Sequence, residues 1–598
     1  MENVNSRLLA LRDVMREEHL AAFIFPSTDP HQGEYTPAHW QSRMWISGFD
    51  GSAGTAVVTM TKAALWTDSR YFIAAEAQLH HTEFVLMKER VEGTPTIAEW
   101  LSMTLQEEAS STEVGIDGMC SSASMVEELI DNLRKKGGFT VRTNFDPMQR
   151  IWENRPQIPD HPVEIQPLEY AGETAADKLV RIRLALRERH IDGMLVSALD
   201  DIAWTLNLRG TDVCCNPVFV SYLLIASDKV TLYVNEQKLS AKVKDYLAQV
   251  GVSIAPYEQI QNGLRDYFEY NILLDPQETS YTLMHVVDKK RVIRKESPIP
   301  SMKAIKNETE IKGFRHAMLR DGIAMTKFLC WLDSHIGKEQ ITELTVSDKL
   351  YQLRSEQPLF RDNSFDTIVA YQEHGAIVHY EPTVDSDVEL KPEGLLLIDS
   401  GTQYQDGTTD VTRTIALGPV TEEQKRVYTL VLKGHIQLEM LKFPVGVSGT
   451  QLDALARKDM WAAGMNFLHG TGHGVGSYLN AHEGPHQIRM EYRPAPLRAG
   501  MTVTDEPGIY LEGRFGVRTE NTLLIVPYMK TEFGEFLQFD SLTLSPIDTT
   551  PIIIEMLTKE ERQWLNDYHR RVYDVLSPYL NNEEKLWLEN ATAPISIA

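Results

Sequence analysis

One stretch near the start of the chain recurs in outline in its second quarter, and this duplication restricts the fold more than any other feature. LRDVMREEHLAAFIF (Leu11 to Phe25) is echoed 171 positions later by IRLALRERHIDGMLV (Ile182 to Val196). Each copy is a charged segment with apolar residues at helical spacing, running straight into an apolar strand. After the first comes WISGFDGSAGTAVVTMTKAALWTD (Trp45 to Asp68), and after the second WTLNLRGTDVCCNPVFVSYLLIASDKVTLYVNE (Trp204 to Glu236). Both read as a turn followed by two strands. Any two α/β domains share a helix–strand pattern, but the matching order of elements favours duplication.

Two proline-rich stretches mark the boundaries. ENRPQIPDHPVEIQP (Glu153 to Pro167) and ESPIPSMKAIKN (Glu296 to Asn307) read as linkers, because proline pins φ and disfavours helix in the residue before it. Asn307 with Glu310 then has the form of a capping box opening the helix ETEIKGFRHAMLRDGIAMTKFLCWL. A second such signal, Thr558 with Glu561, precedes Trp564, Leu565, Tyr568 and Val572 on one helical stripe. The division expected is residues 1–155, 156–302 and 303–598, in keeping with a chain of 598 residues that exceeds one hydrophobic core.

A net charge of −25 argues against nucleic acid and against an anionic membrane surface as partners. The first twenty residues are charged and amphipathic, unlike a secretory signal, and no apolar run reaches membrane-spanning length. Of the four cysteines, Cys214 and Cys215 are adjacent and form no CxxC pair. Neither a disulfide framework nor a thiolate zinc site is suggested, and a cytoplasmic location is expected.

The third domain concentrates ligand-type residues in four groups. In LLLIDSGTQYQDGTTDVTRTIAL (Leu395 to Leu417), Asp399 ends one predicted strand and Asp410 begins the next, so a hairpin brings both carboxylates to one end. Each alone reads as a turn former. HGTGHGVGSYLNAHEGP holds His469, His473, His482 and Glu483; its alternating glycines do not fit G-x-G-x-x-G, and HExxH is absent. The glycines are expected to let the backbone pass close to a metal and its substrate. VTDEPGIYLEGRFGVRTENTLLIV reads as strand, turn, strand, with Glu506 closing the first strand and Glu520 inside the next. IVHYEP places His379 in a predicted strand, where a lone histidine is more often structural than catalytic.

Four carboxylates in one pocket repel and take up protons unless cations neutralise them. Two divalent ions carry four positive charges, matching Asp399, Asp410, Glu506 and Glu520, and one imidazole completes the set. Oxygen-rich ligation of this kind suits manganese or a similar hard ion. Two such ions, roughly 3.5–4 Å apart, can share a water, lower its pKa and polarise a scissile carbonyl.

The segments DSGTQYQDGTTDVTRT, HGTGHGVGSYLNAHEGP, DEPGIY and VRTEN resemble the pita-bread metallopeptidases. Together with FDGSAGTAVVT, WTDSRYF and QWLNDYH, and with the length, they are similar to the three-domain cytosolic Xaa-Pro aminopeptidase branch of that family. The resemblance implies an α/β fold: two related small mixed domains, then a domain of curved antiparallel sheet flanked by helices. It implies two divalent ions per chain, Mn2+ first with Zn2+ or Co2+ as alternatives, held by Asp399, Asp410, His473, Glu506 and Glu520. Asp410 and Glu520 bridge in that scheme, and His473 and Glu506 hold one ion. His379 and His482 are the histidines that contact substrate and support catalysis, with His469 beside them. Arg518 is expected near the site, and Arg70 reaches a site from the N-terminal domain or is a salt-bridged structural arginine. Peptides with proline at the second position are the implied substrates, and a homodimer the implied assembly. A prolidase is the nearest rival, followed by a methionine aminopeptidase and a creatinase-like enzyme without metals. A non-catalytic scaffold of the same fold is the rival outside the enzymes; length, duplication and the full ligand set speak against all four.

Overall fold

The duplication is visible strand by strand in the computed structural model, which describes residues 3–108 and 111–596. In the first copy the sheet runs Phe84–Lys88, Ala63–Thr67, Thr55–Thr59, Ala22–Pro26, Glu113–Ile116, Thr140–Arg142. In the second it runs Val252–Ala255, Val230–Val234, Ser221–Ile225, Met194–Val196, Ile272–Leu273, Val292–Ile293, so the order is the same. The two pairings that join the second, third and fourth strands of each order are antiparallel in both copies, and the other three pairings are parallel in both. Helices Val4–Glu17 and Ala175–Glu188 precede the first strand of each sheet. Even the turn after the helix repeats: His19 (φ 59°) and His190 (φ 58°) both take the left-handed conformation that lets the chain reverse into the strand. Both copies belong to one compact unit, residues 1–166 and 173–299. His31 joins them, its Nδ1 donating to the Ser197 carbonyl (2.9 Å) and its Nε2 lying 2.9 Å from the Tyr257 hydroxyl.

The second unit, residues 167–172 and 300–598, is built on antiparallel pairings throughout its named strands. Ile368–Tyr371, Leu395–Ser400 and Val411–Ala416 form one sheet. Lys442–Pro444, Gly534–Ser541, Asn521–Thr531 and Thr502–Asp505 form another, in that order. Two short hairpins, Gly472–Gly474 with Glu483–Ile488 and Gly508–Leu511 with Phe515–Arg518, complete the frame around the candidate site. The helix Glu422–Glu439 packs with Lys559–Leu576 through Val427, Val431, Ile436, Leu565, Tyr568 and Val572, so the C-terminal stripe is core. Among the described residues no disulfide joins the cysteines, and no helix is long and apolar enough to cross a membrane.

Both capping boxes form as their spacing predicts. Asn307 accepts from the backbone of Thr309 and Glu310 (2.9 Å each), and Glu310 accepts from Asn307 N (3.0 Å). Asn307 Nδ2 also donates to Ala171 O (2.8 Å), fastening the 167–172 segment to the helix Glu308–His335. Asn307→Ala is therefore expected to destabilise that helix start by about 1 kcal/mol or more. Faster amide exchange confined to its first turn, measured in the native protein, checks this. The linker before it is not wholly irregular: it carries the short helix Ile299–Ala304, with Pro300 near the start, where proline is tolerated.

Three local expectations are corrected. His379 lies in a turn after the 3-10 helix Gln372–Ala376, not in a strand. The cause is Glu343, which accepts from Tyr371 N (2.8 Å), His374 Nδ1 (2.8 Å) and Tyr380 Oη (2.8 Å), and so curls the chain around one buried carboxylate. Glu520 falls between strands Phe515–Arg518 and Asn521–Thr531 and not inside one. The glycines of HGTGHGVG serve strand packing: a Cβ on Gly472 would overlap the Thr504 carbonyl, and one on Gly474 the Glu483 carbonyl.

Candidate metal centre

Each expected ligand sits at or beside a strand end. Asp399 lies one residue before the end of Leu395–Ser400, opposite Thr412, and Asp410 immediately precedes Val411–Ala416. His473 is the middle residue of Gly472–Gly474; Glu506 directly follows Thr502–Asp505, and Glu520 directly precedes Asn521–Thr531. The fold thus brings ligating atoms of Asp410, His473 and Glu520 within 4.8 Å of one another. His473 Nε2 is 3.4 Å from Asp410 Oδ2 and 3.3 Å from Glu506 Oε1. Its Nδ1 faces the Gly474 carbonyl at 2.9 Å and must donate to it, which turns Nε2 toward the carboxylates.

Burial is deep for a group of acids: Asp399 is 8% exposed, Asp410 3% and Glu520 1%. Loss of water raises the pKa of Asp399, Glu506 and Glu520, and their mutual repulsion and that of Asp410 add to the shift. Burial pulls His473 down, yet its hydrogen bond to Asp410 and the charges of Glu506 and Asp410 outweigh this and lift it to about 9. A proton on this imidazole thus occupies the position that suits a cation.

Side chains around the acids orient them. Thr412 Oγ1 donates to Glu520 Oε2 at 2.7 Å, and Thr504 Oγ1 to Glu506 Oε1 at 3.3 Å. Arg518 grips Asp399 Oδ2 through Nη2 (2.8 Å) and Nε (3.2 Å), while Asp399 Oδ1 is buried and accepts no hydrogen bond. Such an orphaned carboxylate oxygen, among acids that share one imidazole, fits a cation partner. The donors Asp399, Asp410, His473, Glu506 and Glu520 therefore suit hard divalent ions.

The remaining expected residues divide. His482 stacks edge-on against His473, ring centroids 4.3 Å apart at 73°. His469 does come to the site's edge, tied to it through Tyr510: Nδ1 donates to Gly470 O (2.7 Å), so Nε2 accepts from Tyr510 Oη (2.7 Å). Tyr510 in turn accepts from Arg518 Nη1 at 2.8 Å. The turn bearing His379 is anchored to the same arginine, Arg518 Nη2 donating to Val378 O at 3.3 Å. Glu483, beside His482, is ion-paired with buried Lys306. Arg70 belongs to the first unit, where Asp68 (2.8 Å) and Glu34 (3.4 Å) hold its guanidinium. Sequence reading missed Tyr510, Thr412 and Thr504; a hydroxyl two residues from each of Asp410 and Glu506 was the available signal.

Comparison with known proteins follows this geometry. Residues 7–144 and 154–310 each match a creatinase/prolidase N-terminal domain, 312–527 match metallopeptidase family M24, and 535–595 match the C-terminal region of peptidase M24. Xaa-Pro aminopeptidase 1 of Dictyostelium discoideum is 40% identical over 99% of this chain and 97% of its own. Aminopeptidase P1 of Arabidopsis thaliana is 37% identical over 99% of each chain. The crystal structure of X-prolyl aminopeptidase from Caenorhabditis elegans, described as a cytosolic enzyme with a di-nuclear active site, superposes with a TM-score of 0.95. It is 34% identical over 100% of both chains.

Proposed function

The chain belongs to the Xaa-Pro aminopeptidase branch of metallopeptidase family M24, and we propose that it hydrolyses the peptide bond between an N-terminal residue and a following proline. The observation that carries this reading is the buried convergence of Asp410, His473 and Glu520, with Glu506 against His473 and an orphaned oxygen on Asp399. Asp399, Asp410, His473, Glu506 and Glu520 would hold two divalent ions, a number in keeping with the di-nuclear active site of the nematode relative. Bound there, the ions supply Lewis acidity and lower the pKa of water.

The chain's own groups do the positioning. Arg518 sets the orientation of Asp399 and Thr412 that of Glu520, so the acids are aimed before a peptide arrives. His379 and His482 contact the substrate, and the acidic surroundings attract its free α-amino group. His469 acts from the edge through Tyr510. Manganese is the metal of this reading, because four carboxylates and one imidazole form a predominantly hard donor set. A homodimer, a cytoplasmic location and lobes of residues 1–155 and 156–302 before a catalytic domain of 303–598 complete it.

Mass spectrometry of peptides incubated with the manganese-loaded protein tests the proposal. Arg-Pro-Pro is expected to lose its arginine, while Met-Ala peptides stay intact. Proline lacks an N–H and fixes φ near −65°, so a pocket shaped for it loses ring contacts and a preset conformation when alanine replaces it. Arg-Ala-Pro is expected to fall by at least roughly 10–200-fold in kcat/KM, the scale on which an apolar pocket reads a single methylene. Equal rates on both would make this a general aminopeptidase, and cleavage confined to dipeptides a prolidase.

A further inference from the structure

Next to the two glutamates lies a buried network for which the hydrolysis itself has no use. Asp505 and Asn521 face each other across the antiparallel ladder of Thr502–Asp505 and Asn521–Thr531, at its end. Glu506 leaves this last rung on one strand, and Glu520 enters it on the other. The rung therefore sets the direction from which both side chains start.

One helix, Glu422–Glu439, reaches the rung with two side chains a single turn apart. His435 Nδ1 donates to the Asp505 carbonyl at 3.2 Å and lies 3.2 Å from Asp505 Oδ2. On the other side of the ring, Nε2 lies 3.2 Å from Glu439 Oε1, which also accepts from Asn521 Nδ2 at 2.7 Å. Asn521 Oδ1 takes Arg413 Nη2 at 2.8 Å, and Arg413 Nη1 donates to the Glu520 carbonyl at 2.6 Å. His435, Asp505 and Asn521 are 0% exposed and Glu439 6%.

Two features set this network apart from ordinary packing. Asp505 and Glu439 lie against opposite ring nitrogens of His435, each carboxylate oxygen 3.2 Å away. Glu439 is also the last residue of its helix, the end at which the macrodipole disfavours negative charge. A buried acid placed there does not add stability by itself, and its partners hold it for geometry.

We infer that His435 and Glu439 form a clip that fixes the Asp505–Asn521 rung and thereby aims Glu506 and Glu520 at the two ions. Both are positioning residues, and the inference rests on the ligand assignment proposed above. The full-length variants to compare are His435→Ala, Glu439→Met and Glu439→Gln. Methionine keeps the volume at 439 but offers Asn521 no oxygen, whereas glutamine keeps the acceptor. Elemental analysis, the manganese needed for half-maximal reactivation, and kcat and KM on Arg-Pro-Pro are read for each, with circular dichroism reporting the fold.

His435→Ala and Glu439→Met are expected to need about 10–100-fold more manganese, the usual loss when a group behind a ligand is removed. Their kcat falls while KM stays close to wild type, and Glu439→Gln recovers most of both. Should His435→Ala not fold, the Met and Gln pair carries the test. Folded variants with the wild-type manganese requirement overturn the clip, as does a glutamine variant as impaired as the methionine one. A wild-type protein that binds two manganese ions without cleaving Arg-Pro-Pro overturns the functional reading alone, and the manganese content of the variants by elemental analysis at limiting manganese still decides the clip. A wild-type protein that binds none overturns both.

Discussion

Chelated protein is expected to lose all cleavage of Arg-Pro-Pro, and returned manganese to restore it in the wild type but not in Asp410→Asn or Glu520→Gln. The physical ground is the burial of the acids. Asp410 and Glu520 are almost wholly removed from water, and burial together with Asp410, Asp399 and Glu506 pushes Glu520 well above the ordinary carboxylate range. Such a cluster is stable only with compensating positive charge, either protons or metal ions. In place of a carboxylate that would serve both ions, an amide would offer one oxygen and an NH2, with no negative charge for either. Metal binding also couples to folding: an ion at 100 times its Kd stabilises the native state by about 2.7 kcal/mol. Manganese should thus raise the Tm of the wild type and leave that of Asp410→Asn nearly unmoved. Full turnover in metal-free buffer, or manganese rescue of the Asp410→Asn variant, would overturn the assignment.

What the sequence made legible was local or repeated. The offset between the two copies is carried by helix-to-strand junctions, and it holds down to the left-handed histidines His19 and His190. Capping boxes are three-residue patterns, so Asn307 with Glu310 and Thr558 with Glu561 could be read directly. The metal-type residues were legible because hairpins place strand ends together, and strand ends are readable from apolar runs and turn residues. What escaped depends on partners distant in sequence. Glu343 draws the chain at Tyr371, His374 and Tyr380 into a turn, and nothing in IVHYEP announces that carboxylate. The HGTGHGVG glycines were legible as close approach, but the neighbour that Gly472 and Gly474 approach is strand backbone, at Thr504 and Glu483. His435 and Glu439 read as ordinary positions on an amphipathic helix, since the rung they hold forms only when Thr502–Asp505 pairs with Asn521–Thr531. The histidines of the site show the same division: type and spacing nominate several, and the fold gives each a different neighbour.

Those neighbours predict different failures for His473 and His482. His473 donates Nδ1 to Gly474 O and presents Nε2 to Asp410 and Glu506, so His473→Ala should lose metal as well as rate. His482 packs its ring against that of His473, while its sequence neighbour Glu483 is fixed by Lys306. In the proposed reading it contacts the substrate without being a ligand of the ions. The same reading gives that role to His379, on the turn that Arg518 anchors through Val378 O. His482→Ala and His379→Ala should each keep close to two ions per chain and lose about 10²–10⁴-fold in kcat, the contribution of a positioned proton-transfer or oxyanion-stabilising group. Elemental analysis beside steady-state kinetics separates the cases. If both ions were missing from folded His482→Ala, that residue would join the ligands, and the edge-on contact with His473 would have to be read as two imidazoles converging on one metal.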